Sequence, residues 1–128
     1  MGFNGYRMFN TMYFDNEPIL TSINPRPHYY KFFGPVCNGA DPLRSYKQGF
    51  YMFKSAQLLI DAFAITMRSF NHLHPWAEVE CFGNVVEHEL GYRSSKLMFL
   101  RLFIPRHMFD TWQINKLESR YACEVMFS

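Results

Sequence analysis

Apolar and polar positions along this chain change their period several times, and each change marks an element. "GYRMFNTMYFD", residues 5–15, is aromatic-rich and partly alternating, which predicts a first strand. "NEPILTSINPRPH" then holds three prolines, each fixing φ and removing a donor, and predicts an irregular connection. "YYKFF", residues 29–33, is a short β-prone run closed by Gly34 and Pro35. Residues 37–48, "CNGADPLRSYKQ", carry the Gly, Asp and Pro of a loop, long enough to have a function of its own. Gly49 to Phe53 is strand-like, and Ser55 is a good N-cap for a helix from Ala56 to about Arg68. That helix shows Leu58, Leu59, Ile60, Phe63 and Ile65, with only Gln57, Asp61 and Arg68 as a polar stripe. A helix apolar over most of its circumference is expected to lie buried against a sheet.

"SFNHLHPW" reads as a loop, and "WAEVECF", residues 76–82, alternates cleanly. Ala77, Val79 and Cys81 share one face and Glu78 and Glu80 the other, as in a strand with one wet side. "GNVVEHE" is expected to be its hairpin partner, and "GYRSS" to turn the chain. "KLMFLRLFI", residues 96–104, is the most apolar strand and therefore central, with Pro105 ending it. Asp110 and Gln113 have capping-box spacing, and Ile114, Leu117 and Tyr121 then share one helix face. The last residues, "YACEVMFS", alternate again and leave helix or strand open. The expected fold is α+β in a single domain over residues 1–128. It combines a mainly antiparallel twisted sheet of five to six strands, one buried helix and a C-terminal helix.

Composition sharpens this picture. A chain of 128 residues with 48% hydrophobic and 19% charged residues is globular rather than disordered. Fourteen Phe, eight Tyr and two Trp give an aromatic share of 19%, which fits an aromatic core and leaves rings to spare for stacking on a ligand or anchoring a partner. A net charge of +2 from singly scattered Lys and Arg lacks the clustered basic face of a nucleic-acid binder. Three widely spaced cysteines, Cys37, Cys81 and Cys123, argue against a disulfide framework and fit a reducing cytosol. "MGFNGYRMFN" lacks the basic start and apolar run of a signal peptide, and the longest apolar run, near residues 58–65, is too short to span a bilayer.

No phosphate-binding loop, dinucleotide glycine fingerprint, His-Glu-x-x-His or nucleophile elbow is present. His72 and His74 near Cys81 lack the tight pairs of a zinc site and read as a solvated loop before Pro75. Glu78 and Glu80, roughly 7 Å apart on one strand face, have the spacing for acid and base work, and equally that of a polar strand face. No sequence feature lowers the pKa of any cysteine thiol.

Two resemblances add to these readings. Gly49-Phe50-Tyr51, Val79-Glu80-Cys81-Phe82-Gly83 and Leu100-Arg101-Leu102 resemble a family of small phage-encoded domains, over residues 29–104. That family carries a Gly-Phe-His or Gly-Phe-aromatic strand, a helix, and a strand ending in Val-Glu-x-x-Gly; Tyr51 stands here where His is common. More distantly, "GFYMFKSAQLLIDAFA" followed by a Glu-bearing strand is similar to the ADP-ribosyltransferase superfamily. The second resemblance implies NAD as cofactor, Tyr51 stacked on nicotinamide, and Glu78 or Glu80 steadying an oxocarbenium-like transition state. The first strand should then offer His28 or Arg26, and the Ser-Thr-Ser signature is absent.

The leading expectation is a non-catalytic, cofactor-free accessory protein of phage type, acting in the host cytoplasm. It would bind and block a host bacterial protein or a nucleotide-derived signal. Tyr30, Phe50, Tyr51 and Trp76 are its candidate stacking rings, and Arg44 and Lys47 its candidate phosphate contacts. A mono-ADP-ribosyltransferase and a homo-oligomeric minor virion or assembly protein are the alternatives.

Overall fold

The computed structural model describes residues 2–23, 30–45, 48–64 and 74–128. In chain order these form β1 (Phe3–Met8), β2 (Asn10–Phe14), β3 (Glu17–Thr21), β4 (Lys31–Phe32), β5 (Val36–Asn38), β6 (Phe50–Phe53), α1 (Ala56–Ala64), β7 (Trp76–Glu87), β8 (Gly91–Ile104), α2 (Thr111–Tyr121) and β9 (Glu124–Phe127). The fold is α+β: a mainly antiparallel sheet of six strands, a second sheet of three, and two helices, one of them C-terminal. No helix among the described residues is long and apolar enough to cross a membrane.

β8 organises the main sheet. One edge pairs with β7 along its length; the other pairs in turn with β6 at Gly91–Ser94, β5 at Lys96–Met98 and β9 at Arg101–Ile104. β1 pairs with β7 on one side and, through Tyr6 and Phe53, with β6 on the other. The hydrogen-bonded circuit β8–β6–β1–β7 therefore closes on itself like a small barrel, which needs strong coiling. Two irregularities in the β7–β8 ladder supply it, one opposite Leu100 and one at Gly83–Asn84. Gly83, at φ +76, holds a backbone conformation that side-chain-bearing residues avoid. The inward positions change parity across these bulges: Ser94, then Leu97 and Phe99, then Leu102 and Ile104.

The sequence reading stands for the strand at 76–82, whose Ala77, Val79 and Cys81 are fully buried, and for the centrality of 96–104. It stands also for Ser55, whose hydroxyl accepts from the Leu58 amide at 3.1 Å, and for the complete capping box of Asp110 and Gln113. Four local readings are corrected. Residues 5–15 are two strands in different sheets, parted at the buried Phe9. Residues 17–21, expected to be irregular, form β3, because Asp15 and Asn16 take positive φ and close a two-residue hairpin. "GNVVEHE" continues β7 through its bulge as far as Glu87 and is not a return strand, while "GYRSS" opens β8. The last residues, left open between helix and strand, are strand and pair parallel to β8.

α1 is less enclosed than its composition suggests. Leu59 is fully buried, over Met8, Tyr6, Phe53 and Trp76, while Gln57, Asp61 and Ala62 are exposed. The helix lies on the outer face of β1 and β6, opposite the main core. The remainder of the expected helix, to Arg68, lies outside the described residues.

α2 joins the two sheets. Its Tyr121 is fully buried with its ring 4.5 Å from Phe99. The Tyr121 hydroxyl accepts from the Leu20 amide at 2.7 Å and donates to the Phe32 carbonyl, standing as a rung between β3 and β4. Tyr121→Phe leaves both backbone groups buried and unpaired, and is expected to lower stability by about 2 kcal/mol with secondary structure kept. Urea unfolding followed by circular dichroism checks this; an unchanged midpoint would show that the rung is dispensable.

Candidate functional site

On β1 the residues of one parity, Gly5, Arg7 and Phe9, face the main core, since Gly5 and Arg7 pair with Val79 and Ala77. An arginine thus enters an aromatic interior. The Arg7 guanidinium lies 5.7, 5.6 and 5.9 Å from the ring centroids of Phe9, Phe32 and Phe50. One terminal nitrogen donates to the Tyr51 carbonyl at 2.9 Å, and the other to Ser22 Oγ at 3.3 Å. Its Nε is covered and has no hydrogen-bond partner among the described residues. Among the described residues Arg7 forms no ion pair.

Tyr30, the Tyr51 backbone and the Arg93 charge are the neighbours of this group. Ser22 and Tyr30 are tied by their backbones, and the Tyr30 amide donates to the same Ser22 Oγ at 3.1 Å. The Tyr30 ring packs 4.7 Å from Phe50, and its hydroxyl accepts from the Ala40 amide. Tyr51 and Arg93 are direct cross-strand partners, with the Arg93 guanidinium 5.1 Å from the Tyr51 ring centroid. His88 completes the rim, 6.2 Å from Tyr51.

Electrostatics make the cluster anion-seeking. Burial lowers the Arg7 pKa to about 10; the Tyr30 phenol opposes that shift and the Arg93 charge adds to it. Arg93 is lowered too, chiefly by burial, with Tyr51 and Tyr30 opposing. Burial raises the Tyr51 hydroxyl pKa, against the pull of Arg93 and Lys54, so it stays a neutral donor near pH 7. No carboxylate figures among the groups acting on either arginine. A covered guanidinium that forms no ion pair among the described residues is an arrangement that planar, multi-oxygen anions fit.

Of the residues expected from sequence, Tyr30 and Phe50 come together here, with Phe50 as a buried wall, while Tyr51 meets Arg7 through its backbone carbonyl and turns its ring to the other face of β6, 5.2 Å from Phe53. Trp76 sits elsewhere, stacked on Phe103 at 4.1 Å on the α1 side of the sheet. Arg44 is exposed in a turn, its amide donating to the Asp41 carbonyl. Lys47, with Arg26, His28 and His72, lies outside the described residues. Glu78 accepts from the Tyr6 hydroxyl at 3.2 Å and pairs with Arg101 at 3.6 Å; Glu80 lies against Gly2. The register separates these acids from Tyr51. From the row Phe53–Tyr6–Glu78, Tyr51 lies two residues toward Met8 and Glu80 two toward Asn4. That is about 13 Å along the strands alone. No group of three or more His, Cys, Asp or Glu suited to a metal occurs among the described residues.

Arg7, Ser22, Arg93 and His88 are additions that the sequence reading missed. The signal for Arg7 was its parity, which in "GYRMF" it shares with Phe9 on the core face. Comparison of the chain with protein-family models, curated proteins and solved structures finds no match.

Gly91 holds the tyrosine wall in place. A Cβ there would stand 2.7 Å from the Tyr51 hydroxyl and collide with the Met52 carbonyl. Gly91→Ala is therefore expected to cost about 2 kcal/mol in guanidinium unfolding, through displaced backbone. An unchanged midpoint would mean that Tyr51 is not fixed by this contact.

Proposed function

We propose that the protein is a non-catalytic binding protein for a small nucleotide-like anion. Arg7 and Arg93 hold the anion, and Tyr30 offers a ring face to its planar part. The observation that carries this reading is the covered Arg7 guanidinium, which has three aromatic neighbours, an unpartnered Nε and no ion pair among the described residues. Buried charges in proteins are ordinarily paired, and an anionic ligand supplies the missing partner. In keeping with the phage-type resemblance, the protein acts in a host cytoplasm by withholding such a ligand from host proteins. The distance of Tyr51 from Glu80 favours binding over transferase chemistry.

The test is thermal unfolding with AMP, inorganic phosphate or adenosine, each at constant ionic strength. AMP is expected to stabilise more than phosphate, and adenosine least. At a hundredfold excess over Kd the gain is about 2.7 kcal/mol. Arg93→Gln is expected to fold and to lose most of that gain. Equal effects of all three compounds, or an undiminished gain in the variant, would remove the site from consideration.

A pH profile adds a second test. Because burial places the folded Arg7 value at about 10, well below that of an exposed arginine, protonated Arg7 costs stability at every pH below about 10. A bound anion offsets that cost over the same range. Its stabilising effect is expected to be level from pH 7 to 9 and to fall as pH rises through about 10. A gain that persists unchanged above that value would assign the anion to another cation.

A further inference from the structure

A second surface, away from Arg7, has the composition of a protein-docking site. Four large aromatics are about half exposed: Tyr13 at 54%, Phe14 at 47%, Phe33 at 46% and Trp112 at 51%. They belong to three parts of the chain but form one continuous surface. Phe14 meets Phe33 edge-on at 5.4 Å, Tyr13 Oη accepts from Gln113 Nε2 at 3.1 Å, and Lys116 Nζ lies 5.3 Å from the Trp112 ring. Exposed rings interleaved with Lys and Arg are the signature of binding hot spots.

Two features say what kind of partner fits. The first is an open notch of about 210 Å³ lined by Glu17, Phe33, Lys116, Ser119 and Arg120. Lys116 and Arg120 share the single carboxylate of Glu17, at 3.6 and 3.7 Å, and Arg120 Nε is covered without a partner. The notch therefore carries one cation more than it carries anions, with an apolar wall. The second is β2, the outermost strand of the order β2–β3–β4. Its sequence, Asn-Thr-Met-Tyr-Phe, holds none of the charges, prolines or bulges that protect edge strands from pairing.

We infer that this surface takes an extended, acidic segment of a partner protein, added as a fourth strand on β2 with an acidic side chain in the Lys116–Arg120 notch. Backbone pairing supplies affinity, and the exposed rings with the cationic notch supply selectivity. A second copy of this chain is the poorer occupant, since it brings the same cation excess toward itself.

The probe is a display library of random ten-residue peptides, selected on the immobilised full chain. Enriched sequences are expected to contain Glu or Asp beside alternating apolar residues. A synthetic winner is expected to lose about tenfold in affinity against Lys116→Glu, a rim-charge reversal that leaves the core intact. The same peptide N-methylated on alternate residues is expected to bind at least as much more weakly, because it cannot form the ladder. Absence of enrichment, enrichment without acidic residues, or equal binding of the N-methylated peptide overturns the proposal. So does a dimer in sedimentation that excludes the peptide, which would make the occupant a second copy.

Discussion

A strand has two edges, and the architecture follows from how β8 uses its own. One edge is given to β7; the other is divided among β6, β5 and β9. Fourteen residues, with one extra at Leu100 and a bulge of β7 at Gly83–Asn84 opposite, are long and curved enough to do both. Because β6 and β7 then meet the opposite sides of β1, the sheet wraps round, and the inward residues of four strands face one another. The core is aromatic because a tightly coiled sheet leaves a space that a few large rings fill with little loss of rotamer freedom.

The placement of Arg7 is the costly feature within that core. Its stem replaces an aliphatic core residue, and its head is only partly satisfied, by a carbonyl and a hydroxyl. A methionine, unbranched and apolar, would pack there without desolvating a charge. The surroundings keep the charge in place: Gly5 allows Met52 to pass close by, and Ser22 is oriented by its bonds to Tyr30. The second sheet contributes Phe32, so the arginine lies where the two sheets meet.

Elements set by short-range chemistry were legible in the sequence. The Ala77–Val79–Cys81 alternation, the Ser55 cap and the Asp110–Gln113 box each rest on residues a few positions apart. What escaped was set by partners far along the chain. Nothing local separates β1 from β2, because Phe9 continues the aromatic run and only its burial between sheets divides them. Pro18 concealed β3, yet it lies beyond the reach of β4, which pairs only at Leu20 and Thr21. The apolar girth of α1 suggested a central helix, whereas it covers an outer face. The site was half legible: Tyr30, Phe50 and Tyr51 were found by type, while Arg7 and Arg93 were two among thirteen scattered basic residues.

The closure of the sheet through β1 also governs when this chain can fold. Phe3–Met8 must find Trp76–Cys81, and β6 must find β8, so the ladders that close the ring span from 38 to 78 residues. On a ribosome, β1 emerges early and waits, its aromatic face unpaired, until most of the chain has been made. Folding dominated by such distant pairings is slow, and its waiting strands are open to capture by other chains. The β2–β3 hairpin, closed by Asp15 and Asn16, is the one sheet fragment near the start that can form at once. It shields Asn10–Phe14 on one side while β1, directly before it, remains without a neighbour. Rapid synthesis of the segment up to Ile104 therefore shortens the interval in which this protein is most easily lost to aggregation.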